Sequence, residues 1–439
     1  MTPLMSLLLF IFVFLLMAVL FVVPVTYALG IASMIVFIAG GKNVVTIAQY
    51  AWSSLDSFSF LAIPFYIYAG TLMEYSGISK MLIKWIGSII GKVRGSLGII
   101  TILASMAFGV LTGSAMATIS AIGKIVQPEM KKENYPRGYT AALLAATCFL
   151  GILIPPSVPG IMYALSAGIK ISDVWMVTIG PALIFMVGYI IVNYIRIGRN
   201  LEKPESIKID FKERSIDFAK STLKAIPALL MPIIIYGCIY GGVATPTEAG
   251  ALSAVYGIFY YFILWIFKRK EIKVNFFTIA MISGGSTAVI GLLNAFSVIA
   301  GKVITLAGIS GYLSTLITSV ITNRTEFLIV INILFLFLGT FMDINATILI
   351  MTPLLLPVAT NNYDITAIHF GAIMLVNMCV GFLTPPFAVG IFVGQKIANS
   401  NFTDTVKESI PFIIVGLIAI IITTVFPDYL MFFVNIFQN

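Results

Sequence analysis

Two stretches of this chain set a helix-breaking pair of prolines inside an otherwise apolar run. The first reads Gly151-Ile-Leu-Ile-Pro155-Pro156, followed by Gly160-Ile161 and then Pro181. The second reads Gly381-Phe-Leu-Thr-Pro385-Pro386, followed by Gly390-Ile391 and Pro411, at a separation of about 230 residues. Proline has no amide hydrogen and clashes with the preceding turn, so two in succession end a helix. Upstream, Ala69-Gly70 and Gly77-Ile78-Ser79 recur as Ala300-Gly301 and Gly308-Ile309-Ser310, and Gly109 recurs as Gly339. Ordered matches over this length identify an internal duplication.

The solvent of these segments follows from composition. Hydrophobic residues make up 59% of the chain and charged residues 10%, against roughly 25% charged in a soluble domain. Apolar runs at 4–23, 226–240, 251–267, 327–341 and 410–426 approach the roughly 20 residues that cross a bilayer as a helix. Few alternating strand patterns occur, which argues against an outer-membrane barrel. An all-α polytopic membrane protein is expected. The run 4–23 lacks a basic leader and an evident small-residue cleavage site, and reads as the first spanning helix. Cys148, Cys238 and Cys379 lie in apolar segments without ligand spacing and read as small core residues. The net charge of +8 raises the question of a nucleic-acid partner. Its placement in short loops between apolar segments points instead to membrane topology.

The charges also orient the halves. With the amino terminus outside, crossings at 4–23, 25–40 and 57–76 bring the chain inside. An interfacial segment at 77–96 precedes a re-entrant hairpin at 97–130. The broken helix 139–170 crosses outward and 173–195 returns, leaving the polar linker 196–225 inside. Crossings at 226–240, 250–267 and 276–306 follow, then an outside segment at 308–325. A second hairpin at 326–358 enters from outside, the broken helix 367–398 reaches the inside, and the last crossing returns outward. The chain thus divides into a first repeat (1–195), the linker, and a second repeat (226–439). Of 26 Lys and Arg residues, all but Lys42, Lys170, Lys302 and Arg324 fall inside, a strong positive-inside bias. The repeats are inverted, as in secondary transporters, whose ligand site lies at the repeat interface near the midplane.

Breaking a helix in hydrocarbon strands carbonyls that lipid cannot satisfy. The freed carbonyls of Gly151, Ile154, Gly381 and Thr384 are therefore candidate ligands for Na+, a hard cation; a kink repaired by neighbouring helices is the simpler alternative. Each hairpin turns through small polar residues, Thr112–Thr118 in the first and Gly339–Thr347 in the second. Their oxygens can cap a helix or hold an ion or substrate, and Asp343 stands out as an intramembrane carboxylate. The turn Thr245-Pro-Thr-Glu248 is a capping box with proline at the first helical position. His369 is the lone histidine and reads as structural. The chain lacks Walker, zinc-protease and paired-aspartate motifs, which excludes the matching ATPases and proteases. Transport must then draw on an ion gradient or a partner.

The strings Phe108-Gly109-x-x-Thr112-Gly113-Ser114, Pro128-x-Met130, Tyr139, Gly151-Ile-Leu-Ile-Pro155-Pro156-Ser157, Thr245-Pro-Thr-Glu-Ala-Gly250 and Thr384-Pro385-Pro386 resemble the large membrane subunit of tripartite ATP-independent periplasmic (TRAP) transporters. Thr112 stands where a serine often occurs and keeps the oxygen. The resemblance covers nearly the whole chain and implies an elevator-type carrier in the bacterial inner membrane. Such a carrier takes up an organic anion, for instance a C4-dicarboxylate or sialic acid, with Na+ as coupling ion. Implied partners are a periplasmic substrate-binding protein and a small four-helix membrane subunit, expected here on another polypeptide. One implied Na+ site comprises Thr112, Ser114, Gly151, Ile154 and Pro156, and the other Gly339, Asp343, Gly381, Thr384 and Pro386. Substrate would lie between the hairpin tips, near Gly113, Ser114, Ser157, Asn345 and Thr347. A receptor-independent carrier of related fold and a channel are the alternatives.

The charge pattern places both termini on the periplasmic side. Alkaline phosphatase fused after Asn439 is expected to be active and a green fluorescent protein fused there dark; the reverse pattern would reject this orientation.

Overall fold

The computed structural model describes residues 1–91, 93–198, 211–267, 274–385 and 387–436. Residues 199–210 of the linker, the loop 268–273 and Pro386 therefore lie outside the described residues. Among the described residues there are helices and no strand. Among the described residues eight helices are long and apolar enough to cross a membrane, and a ninth span is formed if a helix pair bent by 45° counts as one. The class expected from composition is the class observed.

Repeated sequence becomes repeated local structure. Gly77 and Gly308 adopt φ of +75° and +69°, a left-handed turn that a side chain resists. Each starts an amphipathic helix, Ile78–Ile90 and Ile309–Val320. The first of these buries Ile78, Leu82 and Ile86, one face at helical spacing. Pro181 and Pro411 both sit inside long helices, Ile171–Asn193 and Phe402–Val425.

One pair of counterparts differs. The crossing expected at 57–76 is the shorter helix Ala62–Tyr75, preceded by Val44–Leu55, whereas the second repeat runs uninterrupted from Phe276 to Leu306. The interruption is stable because its polar groups find partners. Asn294 Nδ2 donates to the Ser54 carbonyl at 3.2 Å, and the Thr247 hydroxyl to the Phe58 carbonyl at 3.2 Å. The linker differs too, since its second part is the start of the long helix Phe211–Tyr240. Trp85 Nε1 ties that helix to the interfacial segment through Thr222 at 3.1 Å.

The elements gather into two bodies. A scaffold comprises Pro3–Leu15, Val25–Ala39, Val44–Leu55, Ala62–Tyr75, Phe211–Tyr240, Pro246–Phe267 and Phe276–Leu306, packed on one another. A hairpin body contains the first hairpin (Ser96–Thr112 and Ala115–Lys132) and the second (Arg324–Phe341 and Ile344–Tyr363). It also contains both broken helices: Arg137–Cys148 with Leu150–Leu153 and Val158–Ala167, and Ala367–Gly381 with Val389–Ala398. Within it the repeats exchange partners. The distal piece Val389–Ala398 packs on Arg137–Cys148 and on Ala115–Lys132; reciprocally, Val158–Ala167 packs on Ala367–Gly381 and on Ile344–Tyr363. Such reciprocity is the signature of an approximate twofold axis. The Tyr163 hydroxyl donates to the Ala367 carbonyl across this exchange.

Helix crossings in lipid favour small residues, which let backbones approach. A methyl group added at Gly109 would lie 1.9 Å from the Cα of Gly151, and one added at Gly381 would lie 2.6 Å from the Cα of Gly339. The matched glycines of the sequence are thus matched crossings of hairpin on broken helix. The hairpin roots are anchored as well. Fully buried Asn193 accepts from the Tyr139 hydroxyl and donates to the Gly95 carbonyl, both at 2.9 Å. In the second repeat the Tyr363 hydroxyl donates to the Ile321 carbonyl at 2.8 Å.

Gly109→Ala is expected to destabilise the protein by about 1–3 kcal/mol, the range for overpacking. Gly237 has nothing within 4 Å of an added Cβ, so Gly237→Ala should be neutral or stabilising by about 0.5–1 kcal/mol. Thermal unfolding in detergent, followed by size-exclusion chromatography, checks the contrast; equal midpoints would refute the tight crossing.

Candidate functional site

The first hairpin tip rests on the first break. Gly113 takes φ of +58° to end its arm, and an added Cβ there would lie 2.9 Å from the Pro156 carbonyl oxygen. Ser114 starts the return arm by accepting from the Ala117 amide at 3.4 Å. Thr112 is buried and its hydroxyl donates weakly to the Phe108 carbonyl at 3.3 Å. Across the junction, Ile154 is in extended conformation. In Gly-x-x-x-Pro the proline occupies the position whose amide would otherwise bond the glycine carbonyl, so Gly151 loses its helical donor. Gly113, Pro156, Gly109 and Gly151 are thereby brought together.

Ser157 starts the distal half-helix, accepting from the Gly160 amide at 3.2 Å, and is only 1% exposed. Its carbonyl accepts from Trp175 Nε1 at 3.2 Å, and the Pro155 carbonyl accepts from the Tyr236 hydroxyl at 2.6 Å. The Pro155 carbonyl, whose helical donor position is taken by Pro159, is thus claimed by a side chain from elsewhere in the fold, while the Ser157 carbonyl also keeps the Ile161 amide at 3.0 Å.

The second junction follows the same plan with different chemistry. Gly339 and Gly381 bring the hairpin arm onto the broken helix. Asp343 is exposed and caps the return arm, accepting from the Asn345 amide at 2.9 Å and the Ala346 amide at 3.1 Å. The Thr347 hydroxyl is fully buried and donates to the Asp343 carbonyl at 3.0 Å. Asn345 Oδ1 is buried without a hydrogen-bond partner among the described residues. Thr384 donates its amide to the Gly381 carbonyl at 2.9 Å and its hydroxyl to the Val380 carbonyl at 2.8 Å. Where the first break has Ser157 the second has Phe387, 57% exposed and edge-on to Phe341 at 6.2 Å.

Several residues singled out by sequence have purely structural partners. Thr245 and Glu248 form the expected capping box, with the Glu248 carboxylate 2.8 Å from the Thr245 amide and hydroxyl. His369 Nε2 lies 2.9 Å from the Thr423 carbonyl in the helix interior. Thr118, inside the expected first tip, is fully buried, donates to the Ser114 carbonyl at 2.8 Å, and its Oγ1 faces Gly151. Ser114 with Thr118 and Asp343 with Thr347 repeat one pattern, a cap and a threonine one turn later. Tyr236, central to the first junction, escapes motif reading because it carries no local signal. Among the described residues no group of three His, Cys, Asp or Glu could hold a metal, so any cation site here is built from carbonyl, hydroxyl and amide oxygens with one carboxylate.

Two hairpins seated on two broken helices within a helical bundle define the fold. The YdaH transporter of Alcanivorax borkumensis shares it, covering 87% of this chain and 89% of its own with a TM-score of 0.57 at 11% identity. Residues 9–429 match the family described as "DctM: Tripartite ATP-independent periplasmic transporter, DctM component", and the chain belongs to that family. The isethionate TRAP transporter permease protein DctMQ of Oleidesulfovibrio alaskensis is 34% identical over 414 residues, 94% of this chain; the chain spans 64% of that relative's length. The C4-dicarboxylate TRAP transporter large permease protein DctM of Pseudomonas aeruginosa is 31% identical over 386 residues, 88% of each chain. These relatives are permeases and not enzymes.

Ser157→Ala is expected to lower stability by about 1 kcal/mol through the lost cap, with Ser157→Thr restoring most of it. A thermal midpoint unchanged by the alanine would show that the hydroxyl does not cap.

Proposed function

We propose that this chain is the large permease of a TRAP system that imports an organic anion across the inner membrane, driven by Na+. The observation that carries this reading is the pair of junctions, each bringing a hairpin with a polar tip onto a broken helix at a glycine crossing, with the first tip against the Pro156 carbonyl. Oxygen-only donor sets suit a hard cation. One Na+ would take oxygens from Thr112, Ser114, Gly151, Ile154 and Pro156. The other would take them from Gly339, Asp343, Gly381 and Thr384, with Pro386 assigned by family resemblance alone. Lining residues for the anion are Gly113, Ser114 and Asn345; the unpartnered Asn345 Oδ1 is an acceptor, which calls for a water, a hydroxyl of the ligand or a cation. Ser157 and Thr347 complete this lining; both are buried, Ser157 accepting from the Gly160 amide and Thr347 donating to the Asp343 carbonyl.

In this reading the hairpin body slides against the scaffold, carrying the site from one face of the membrane to the other. A periplasmic binding protein delivers the anion, and a small four-helix membrane subunit joins the scaffold. Both termini face the periplasm. The anion belongs to the class of small carboxylates and sulfonates named for the relatives, and proteoliposome uptake with candidate receptors would select it. Saturable uptake that needs both receptor and an inward Na+ gradient supports the proposal; receptor-independent uptake or passive conductance would overturn it.

Asp343 separates capping from ion binding. Asp343→Ala is expected to reduce Na+-dependent uptake by about tenfold or more, the loss of over 1.4 kcal/mol of ion binding, while expression stays intact. Asp343→Asn keeps the cap but removes the charge, and should show the same loss. Wild-type uptake in the asparagine variant would remove Asp343 from the ion site.

A further inference from the structure

The first break is held from two directions by different bodies of the protein. From within the hairpin body, the Gly113 tip covers the Pro156 carbonyl. From the scaffold, Tyr236 on Phe211–Tyr240 donates its hydroxyl to the Pro155 carbonyl at 2.6 Å. The Tyr236 ring is half-buried and stacks on Tyr240 at 6.0 Å and 20°, so its reach is set by packing on its own helix. A second aromatic contact from the scaffold lies nearby, Tyr66 meeting Trp175 of Ile171–Asn193 edge-on at 5.6 Å. Trp175 in turn donates to the Ser157 carbonyl, two residues beyond Pro155.

The Pro155 and Pro156 carbonyls lie in adjacent peptide planes, and the proline ring fixes φ of Pro156 at about −65°, leaving ψ as the one soft torsion between them. Fixing the Pro155 oxygen therefore narrows where the Pro156 oxygen can point. That oxygen is the one facing the hairpin tip. The bond also matters for solvation, because Pro156 and the residues after it offer the Pro155 carbonyl no helical donor, and an unpaired carbonyl in a membrane interior is costly. At the second break Phe387 and Phe341 are exposed.

We propose that Tyr236 is a positioning residue that couples the scaffold to the first ion-binding break. With the hairpin body docked as seen here, its hydroxyl holds the Pro155 carbonyl and thereby presents the Pro156 carbonyl toward the hairpin tip. When the bodies move apart the bond is lost, so the scaffold favours the ion-ready geometry in one position and releases it in the other. This inference rests on the Na+-coupled reading above and adds a residue outside the ion ligands to it.

The test uses the complete system in proteoliposomes, with receptor and small subunit, and Na+ as the varied probe. Tyr236→Phe keeps the ring and removes only the hydroxyl. Its half-saturating Na+ concentration is expected to rise about fivefold, the effect of one net hydrogen bond, with uptake at saturating Na+ within about twofold of wild type. p-Aminophenylalanine at position 236 returns an N–H donor to the same place and should restore the wild-type Na+ dependence, which recovery of mere packing would not do. An unchanged or lowered half-saturating concentration in Tyr236→Phe, while wild type remains Na+-dependent, overturns the coupling role alone. Absence of Na+ dependence in the wild type overturns both this proposal and the reading beneath it.

Discussion

Every part of this fold answers one demand: a backbone that leaves its helix inside a membrane must still find partners for its polar groups. The prolines of the two breaks remove donors that helical carbonyls rely on, and the fold compensates locally. Caps from Ser157 and Asp343 supply acceptors to the amides that start new helices. Trp175 and Tyr236 supply donors to carbonyls at the first break. Glycine against glycine at both crossings then lets the hairpins come close enough for their tips to reach the broken segments. A bulkier residue at either crossing would separate tip and break, and the site would lose one wall.

The duplication supplies the plan and divergence supplies the polarity. Two junctions share their glycines and caps, yet one offers hydroxyls from Thr112 and Ser114 and the other a carboxylate and an amide from Asp343 and Asn345. One break faces buried Ser157 and the other exposed Phe387. A carrier with two identical ends would have no reason to bind differently in its two positions; these substitutions give the ends different chemistry within one geometry.

Much of this was legible along the chain because it depends on local signals. Apolar arms flanking small polar turns mark both hairpins, and the expected bounds of 97–130 and 326–358 fall close to the observed Ser96–Lys132 and Arg324–Tyr363. The glycine of Gly-x-x-x-Pro-Pro and the matched Gly109 and Gly339 are visible as a repeat, although their meeting in space is not. A cap and a ligand use the same oxygen: Ser157 before Val158-Pro159 has the pattern of a helix start and also the chemistry of a binding residue. Its burial is a property of the assembled protein and has no local sign. What stayed illegible joins distant parts of the chain. Tyr236 and Pro155 are 81 residues apart, Asn193 and Gly95 are 98 apart, and the interruption before Ala62 relies on Asn294, 240 residues from Ser54.

The exchange of half-helices between the repeats has a consequence for how the protein is made. Tyr163 finds its carbonyl partner 204 residues downstream, at Ala367, and Arg137–Cys148 is completed only by Val389–Ala398. Ribosomes add roughly 5–20 residues per second, so the first broken helix waits for many seconds in the bilayer with one side uncovered. Synthesis of this carrier therefore passes through a long-lived half-built stage, whose open grooves need lipid, the insertion machinery or a chaperone to shield them until the final quarter of the chain arrives.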